Sequence, residues 1–317
     1  MRTCSLALAA GSLLAVAACT PTLDTPDQVH DLRLLAMQVD PPEVIVNGDN
    51  GIPTAPIAPI GPPMSIKVTA LVADPEGMGR SVHYVFSTCA QIDESDSLVD
   101  NSTHRCLVGQ IGYLELEQGD FVPGVSSELE LHHNFQPSSL LLDEAQQLDK
   151  YQGFGGLPLP VQLELRAGGE DVVGFKRIVY SAPITSPPQA PNANPALLGV
   201  TVDGQDWAEA DSLAFARADH VFVPTPDPNN VESYQRLTFD HQLLQFHETL
   251  RYAFFTTMGK FNNPVTGGIS NRTGELIDPD STWSPPGAPA SGTVSFWFVV
   301  QDGRGGENWT VRQGQIR

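Results

Sequence analysis

The residues best equipped for chemistry in this sequence are acids in loops. Asp74-Pro75-Glu76-Gly77 ends an apolar run, and Asp278-Pro279-Asp280 and Asp302-Gly303 sit in comparable turn-rich stretches. Calcium takes roughly six to eight oxygen ligands from carboxylates and carbonyls, so Asp74, Glu76, Asp278, Asp280 and Asp302 are candidate ligands. They match no complete calcium-loop spacing, and aspartate caps turns unaided. Calcium is therefore a possible cofactor, and none is required. His132-His133 is a suggestive pair, but neighbouring side chains on a strand point to opposite faces, which suits chelation poorly. His247-Glu248 lacks a second histidine four positions on. No Gly-x-Ser-x-Gly elbow, His-Glu-x-x-His helix or phosphate-cradling glycine loop occurs. No catalytic residue is assigned, and the chain is expected not to be an enzyme.

The elements that carry these loops read as strands. Ile66, Val68, Ala70 and Val72 alternate with Lys67, Thr69 and Leu71, and Val161, Leu163 and Leu165 alternate with Gln162, Glu164 and Arg166. A period of two with one apolar face describes a half-buried antiparallel strand. In Val294 to Val300 the same alternation turns Phe296 inward and Trp297 outward. An outward tryptophan on a sheet makes Trp297 the candidate binding residue, unless a domain interface covers it. The composition agrees: 28 glycines and 27 prolines in 317 residues favour frequent turns over long helices. "SSLLLDEAQQLDKY" (Ser138 to Tyr151) is the exception. Leu141, Ala145 and Leu148 lie at helical spacing behind a serine cap, which predicts one short helix against the sheets.

Three segments recur in the same order. "LRLLAMQVDPPEV" from Leu32 aligns with "PALLGVTVDGQDW" from Pro195. "SVHYVFSTC" from Ser81 aligns with "TLRYAFFTT" from Thr249. The Leu159–Val179 stretch aligns with Gly292–Arg312. Shared order implies two copies of one unit. Short strands, glycine hairpins such as "AGGED" and aromatic cores make the expected fold all-β: two tandem immunoglobulin-like β-sandwiches. The first is enlarged by a cysteine loop and the helix.

The amino terminus supplies an address. One arginine precedes an apolar run from Leu6 to Ala18. As helix that run spans about 20 Å, short of the ~30 Å hydrocarbon core, so it reads as a secretory signal. Val16-Ala17-Ala18-Cys19 resembles a bacterial lipobox. The resemblance implies a signal peptide over 1–18, a diacylglycerol on the Cys19 sulfur and a membrane attachment through acyl chains. Thr20 in place of aspartate favours the outer membrane. Residues 19–29 then form a polar tether. Cys4 leaves with the signal, so Cys89 and Cys106 remain. Two leftover cysteines in an oxidising compartment read as a disulfide, which stabilises by about 3 kcal/mol for a loop of that length.

"ADPEGMGRSVHYVFSTC" (from Ala73), "WFVVQDGRGGENW" (from Trp297) and "DLRLLAMQVDPPEV" (from Asp31) behind a lipobox together resemble lipoproteins of the myxobacterial type with immunoglobulin-like and PKD-like modules. That family offers no activity to carry over. The resulting organisation is sandwich one over 30–182, a proline-rich linker over 183–195 and sandwich two over 196–317. A net charge of −20 argues against nucleic acid. The expected role is a non-catalytic, lipid-anchored envelope protein that binds or scaffolds an envelope protein or a glycan. The alternative is an envelope hydrolase or a carbohydrate-active accessory, which would need a cleft with convergent ionisable groups.

Overall fold

The structure is a computed structural model that describes residues 26–61, 65–90, 105–133, 135–184, 190–240, 242–270, 272–288 and 291–317. The expected signal peptide, Cys19 and the expected tether up to residue 25 lie outside the described residues, as does the interior of the cysteine loop. The first half carries β1 (Arg33–Asp40), β2 (Glu43–Ile45), β3 (Gly48–Asp49), β4 (Ile52–Pro53), β5 (Lys67–Ala73), β6 (Val82–Thr88), β7 (Leu114–Phe121), β8 (Ser126–Glu130), α1 (Ser139–Leu148), β9 (Leu157–Ala167) and β10 (Glu170–Ser181). The second carries β11 (Leu197–Val202), β12 (Gln205–Trp207), β13 (Leu213–Phe215), β14 (His220–Pro226), β15 (Ser233–Leu237), β16 (Leu243–His247), β17 (Arg251–Thr256), β18 (Lys260–Phe261), β19 (Val265–Gly267), β20 (Ser281–Ser284), β21 (Gly292–Gln301) and β22 (Glu307–Ile316).

Each half is a β-sandwich. In the first, sheet β1-β5-β8 faces sheet β2-β10-β9-β6-β7. In the second, β12-β11-β14-β20-β18 faces β13-β22-β21-β17-β19. The chain crosses between the two sheets of each sandwich. In both, a short strand after the first one pairs in parallel with the last, β2 with β10 and β13 with β22. That strand order is immunoglobulin-like. The three recurring segments occupy equivalent places: β1 and β11 open their sandwiches, β6 and β17 are equivalent inner strands, and β9–β10 and β21–β22 are the closing hairpins. Tyr84 and Phe86 on β6 and Tyr252 and Phe254 on β17 are buried in matching positions.

Local chemistry explains the joints. Gly168 and Gly169, at φ 57° and 91°, make the tight β9–β10 turn that a side chain would strain. Cys89 and Cys106 form a disulfide beside β6. The Ser138 side chain caps α1 by accepting the Leu141 N–H at 3.2 Å. The helix buries Leu141, Leu142 and Ala145, whereas Leu148 stays exposed at 38%. Leu141 and Ala145 are buried as the spacing requires, and Leu142 takes the buried place expected for Leu148 where the helix lies against β9. The second core is aromatic, with Trp207, Phe215, Phe222, Phe254, Trp283, Phe296 and Phe298 in one cluster. Both of its indoles are satisfied: Trp283 donates to the Met258 carbonyl and Trp207 to that of Asp211, each at 2.9 Å.

The two sandwiches pack against each other through sheet faces. Leu35, Ala36, Leu71 and Ala73 of β1 and β5 meet Trp297 and Val299 of β21 in a third apolar cluster, flanked by Phe255, Trp309 and Val311. Strand β5, expected to be half-buried, is therefore buried on both faces from Val68 to Ala73. Asp27 to Val29, expected as tether, belong to the folded body. Val29 donates its N–H to Thr256 and Thr256 donates to Asp27, at 2.9 and 2.8 Å, and the Asp27 carboxylate accepts the Phe261 N–H at 2.7 Å. The arm leads into the first sandwich but is pinned to the second. The described part of the linker is equally engaged. Asn194 bridges the Val39 carbonyl and the Glu307 N–H at 2.9 and 3.0 Å.

Candidate functional site

The turn between β21 and β22 aims one arginine into the junction of the sandwiches. Asp302 accepts the N–H groups of Arg304 and Gly306 at 2.7 and 2.9 Å, closing the turn through its own side chain. Arg304 then projects into a nest of three carboxylates. It donates to Glu232 at 2.8 Å, Glu248 at 3.0 Å and Glu43 at 3.2 Å, and its guanidinium lies 4.4 Å from the Tyr234 ring centre. The arginine side chain is only 6% exposed and that of Glu248 1%. Burial pushes the Glu248 carboxyl above the ordinary carboxylate range, against the pull of the Glu232 N–H and of Arg304. Glu43 sits on β2 of the first sandwich, and it also accepts the Ser181 hydroxyl and the Asn192 N–H. One guanidinium thus joins both sandwiches and the root of the β15–β16 hairpin.

That hairpin stands apart from both sandwiches as its own two-stranded sheet. Glu232 and Glu248 flank it, and the Glu232 N–H donates to Glu248 at 2.9 Å. Past β15, Phe239 reaches the first sandwich. It stacks on Phe154 at 4.7 Å and 17° and touches Tyr151 at 5.5 Å, both in the turn after α1. Beneath the hairpin lies a cleft of about 450 Å³ between the two halves. Ile45, Val179 and Ile184 form one wall, Tyr234, Leu237 and Phe239 the other, and Glu43 and Arg304 the floor. Its size is that of a small-molecule site.

The acids proposed from sequence do not gather. Asp74 is 2% exposed and held by two hydrogen bonds from Arg80, at 2.7 and 3.0 Å. Glu76 faces His30 at 3.3 Å. Asp278 and Asp280 are exposed on the other half, and Asp302 closes the Arg304 turn. Among the described residues no group of three acid, imidazole or thiol side chains is placed to hold a metal ion. Trp297 does face away from its own core, as alternation required. It is nevertheless fully buried, at 0% exposure, because the first sandwich covers it. It is an interface residue and presents no binding face. Arg304 drew no notice in the sequence, where "QDGRGGEN" reads only as a hairpin turn. The two prolonged acids of the hairpin root, Glu232 and Glu248, lie too far from it in the chain to suggest a cluster.

The adjacent histidines behave differently from the strand expectation. They follow the end of β8, so their rings escape alternation and converge on Glu117. His132 and His133 place their Nδ1 atoms 2.8 and 3.0 Å from its carboxylate, the His132 N–H donates at 2.9 Å and Tyr84 donates at 2.8 Å. Burial alone pushes the Glu117 carboxyl up; these bonds outweigh it and hold it at about 2, below its ordinary 4.5. A carboxyl depressed in the folded state adds stability above its unfolded value and loses it as pH falls through the folded one. This group is therefore expected to stabilise the fold at neutral pH, a contribution withdrawn between about pH 5 and pH 2. Urea unfolding of the parent and Glu117→Gln across that window checks it. The difference between them should shrink on acidification, and parallel curves would refute the assignment.

No family model matches the chain, and neither does any curated protein sequence. Among solved structures, red sea bream transglutaminase aligns over 90% of this chain and 32% of its own at 11% identity, with a TM-score of 0.22. Escherichia coli alpha-2-macroglobulin activated by porcine elastase aligns over 90% and 22% at 8% identity and 0.22. The native conformation of that macroglobulin aligns over 92% and 16% at 10% identity and 0.20. The chain spans a third or less of the length of these proteins, and scores of this size lend weight to no activity.

Proposed function

We propose that this protein is a non-catalytic binding module of the bacterial cell envelope, anchored to the outer membrane through acyl chains on Cys19, with the cleft under the β15–β16 hairpin as its binding site. The observation that carries the reading is the make-up of that cleft. It is lined mainly by aromatic and aliphatic side chains, and its floor charges, Glu43 and Arg304, are paired with one another. Such a site holds a ligand without a free acid, base or nucleophile to transform it. The disulfide and the net charge of −20 suit an extracytoplasmic protein that avoids nucleic acid. The eight residue steps from Cys19 to Asp27 span at most about 29 Å, so an anchor at Cys19 keeps Asp27, and the end of β17 that holds it, within about that distance of the bilayer.

Two arms test the reading in bacterial cells. Metabolic labelling with an alkynyl fatty acid should mark the parent, and Cys19→Ser should lose both the label and the membrane fraction. A photo-crosslinking amino acid at Leu237 should trap an envelope component that the same group at exposed Leu198, on β11 outside the cleft lining, does not. An unlabelled parent sinks the anchor. Identical adducts from both positions sink the cleft as the binding site.

A further inference from the structure

We propose that the β15–β16 hairpin is a strap that closes the cleft over a small, uncharged, mainly apolar molecule. The inference rests on the binding reading above and names its ligand class and its gate.

The strap has a stiff root and a soft tip. At the root, Arg304 ties Glu232 and Glu248 together and both are tied to Glu43 of the other sandwich through it. Breaking that root would leave buried carboxylates without their cation. At the tip, Phe239 holds on only by ring contact and is 71% exposed, and its partner Tyr151 is 51% exposed. Between root and tip, β16 is exposed along its whole length. Strand β15 is only half-buried over the cleft, and an isolated two-stranded hairpin has little rigidity of its own. The segment most free to swing is therefore the tip, about a fixed root, and its swing uncovers the cleft.

The lining decides what fits. Glu43 is committed to Arg304, Ser181 and the Asn192 N–H, and Arg304 to three glutamates. An ionic ligand would have to separate these buried partners, which is unfavourable in a site of low dielectric. Arg236 lies at the exposed lip against Tyr234, 5.4 Å from its ring centre. A sugar needs many unengaged donors and acceptors, and the Ser181 hydroxyl on the floor is already donated to Glu43. Most of the surface left for a ligand is apolar, from Ile45, Val179, Ile184, Leu237 and Phe239, with Asn50, Gln235 and Arg236 beside it. That surface rewards an apolar body without a charge.

Calorimetric titration of the purified full chain carrying Cys19→Ser, with three naphthalene probes at neutral pH, tests the proposal. They are neutral 2-naphthol, anionic 2-naphthalenesulfonate and cationic 2-naphthylmethylammonium. The neutral probe should bind one site about tenfold more tightly than either ion. Leu237→Glu, which puts a charge in the wall, should abolish that binding, and Phe239→Ala should speed dissociation at least fivefold in stopped-flow. Melting curves for each variant establish that it is folded. Equal or tighter binding of an ion overturns the apolar class while leaving the cleft as a site. Unchanged dissociation from Phe239→Ala overturns the strap. Binding of none of the probes, together with trapping of an envelope component at Leu237 in cells, sinks this proposal and leaves the binding reading standing.

Discussion

Arg304→Ala is expected to destabilise the protein by about 3–5 kcal/mol, because it strips from three carboxylates the guanidinium they share at a buried junction. The guanidinium contacts Glu43, Glu232 and Glu248 within 3.2 Å. Lysine offers a compact ammonium that cannot span three partners with a planar fork, so Arg304→Lys should recover only part of the loss. The pH dependence distinguishes lost charge compensation from lost packing. Glu248 already has its carboxyl raised by burial, and removing Arg304 raises it further. A carboxyl raised in the folded state penalises folding above its folded value, and the penalty disappears as pH falls below its unfolded value. The gap between parent and Arg304→Ala should therefore narrow as pH falls towards about 4.5 and be smallest below it. Denaturant unfolding at neutral and acid pH measures it, and a gap constant with pH would refute the electrostatic account.

Trp297→Ala is expected to be about as damaging, at roughly 3–5 kcal/mol for a fully buried tryptophan. Its effect should be read at the interface. The indole packs against Val29, Leu35, Ala36, Leu71 and Ala73, all contributed by the first half of the chain. Truncation should lower the melting temperature and expose the 71–72 region to hydrogen exchange, while both sandwich cores keep their protection. Trp297→Phe is the informative partner. The Trp297 indole N–H finds no acceptor among the described residues, so phenylalanine removes an unsatisfied donor together with some volume. It should cost much less than alanine. A solvent-facing Trp297 would instead tolerate alanine with a change near zero.

Much of the architecture was legible in the residues. Alternation in Val161 to Leu165 and in Val294 to Val300 marks the inner strands, and glycine pairs mark their turns. Ser138 marks the helix start, and the ordered repeats mark equivalent positions in two sandwiches. Cys89 and Cys106 were pairable by elimination once the front of the chain was read as a signal and an anchor. The candidate site was far less legible. The acids chosen for their loop settings each serve a local role, Asp74 with Arg80 and Asp302 in its own turn. The cleft is assembled from Glu43, Tyr151, Tyr234, Phe239 and Arg304, which lie in separate stretches of the chain with no spacing that links them.

The division has a physical cause. Pleat, turn and cap preferences act between residues a few positions apart, so the order of amino acids alone determined an all-β chain with two repeated units, a helix and a cysteine pair. Alternation fixed that Trp297 points away from its own core, since that is a property of one strand. Whether water or another sheet lies beyond it depended on how two finished sandwiches dock. The same docking drew Asp27 onto β17, carried Arg304 to Glu43 and laid Phe239 on Phe154. These contacts join residues up to 261 positions apart, and tertiary packing alone brings such partners within reach.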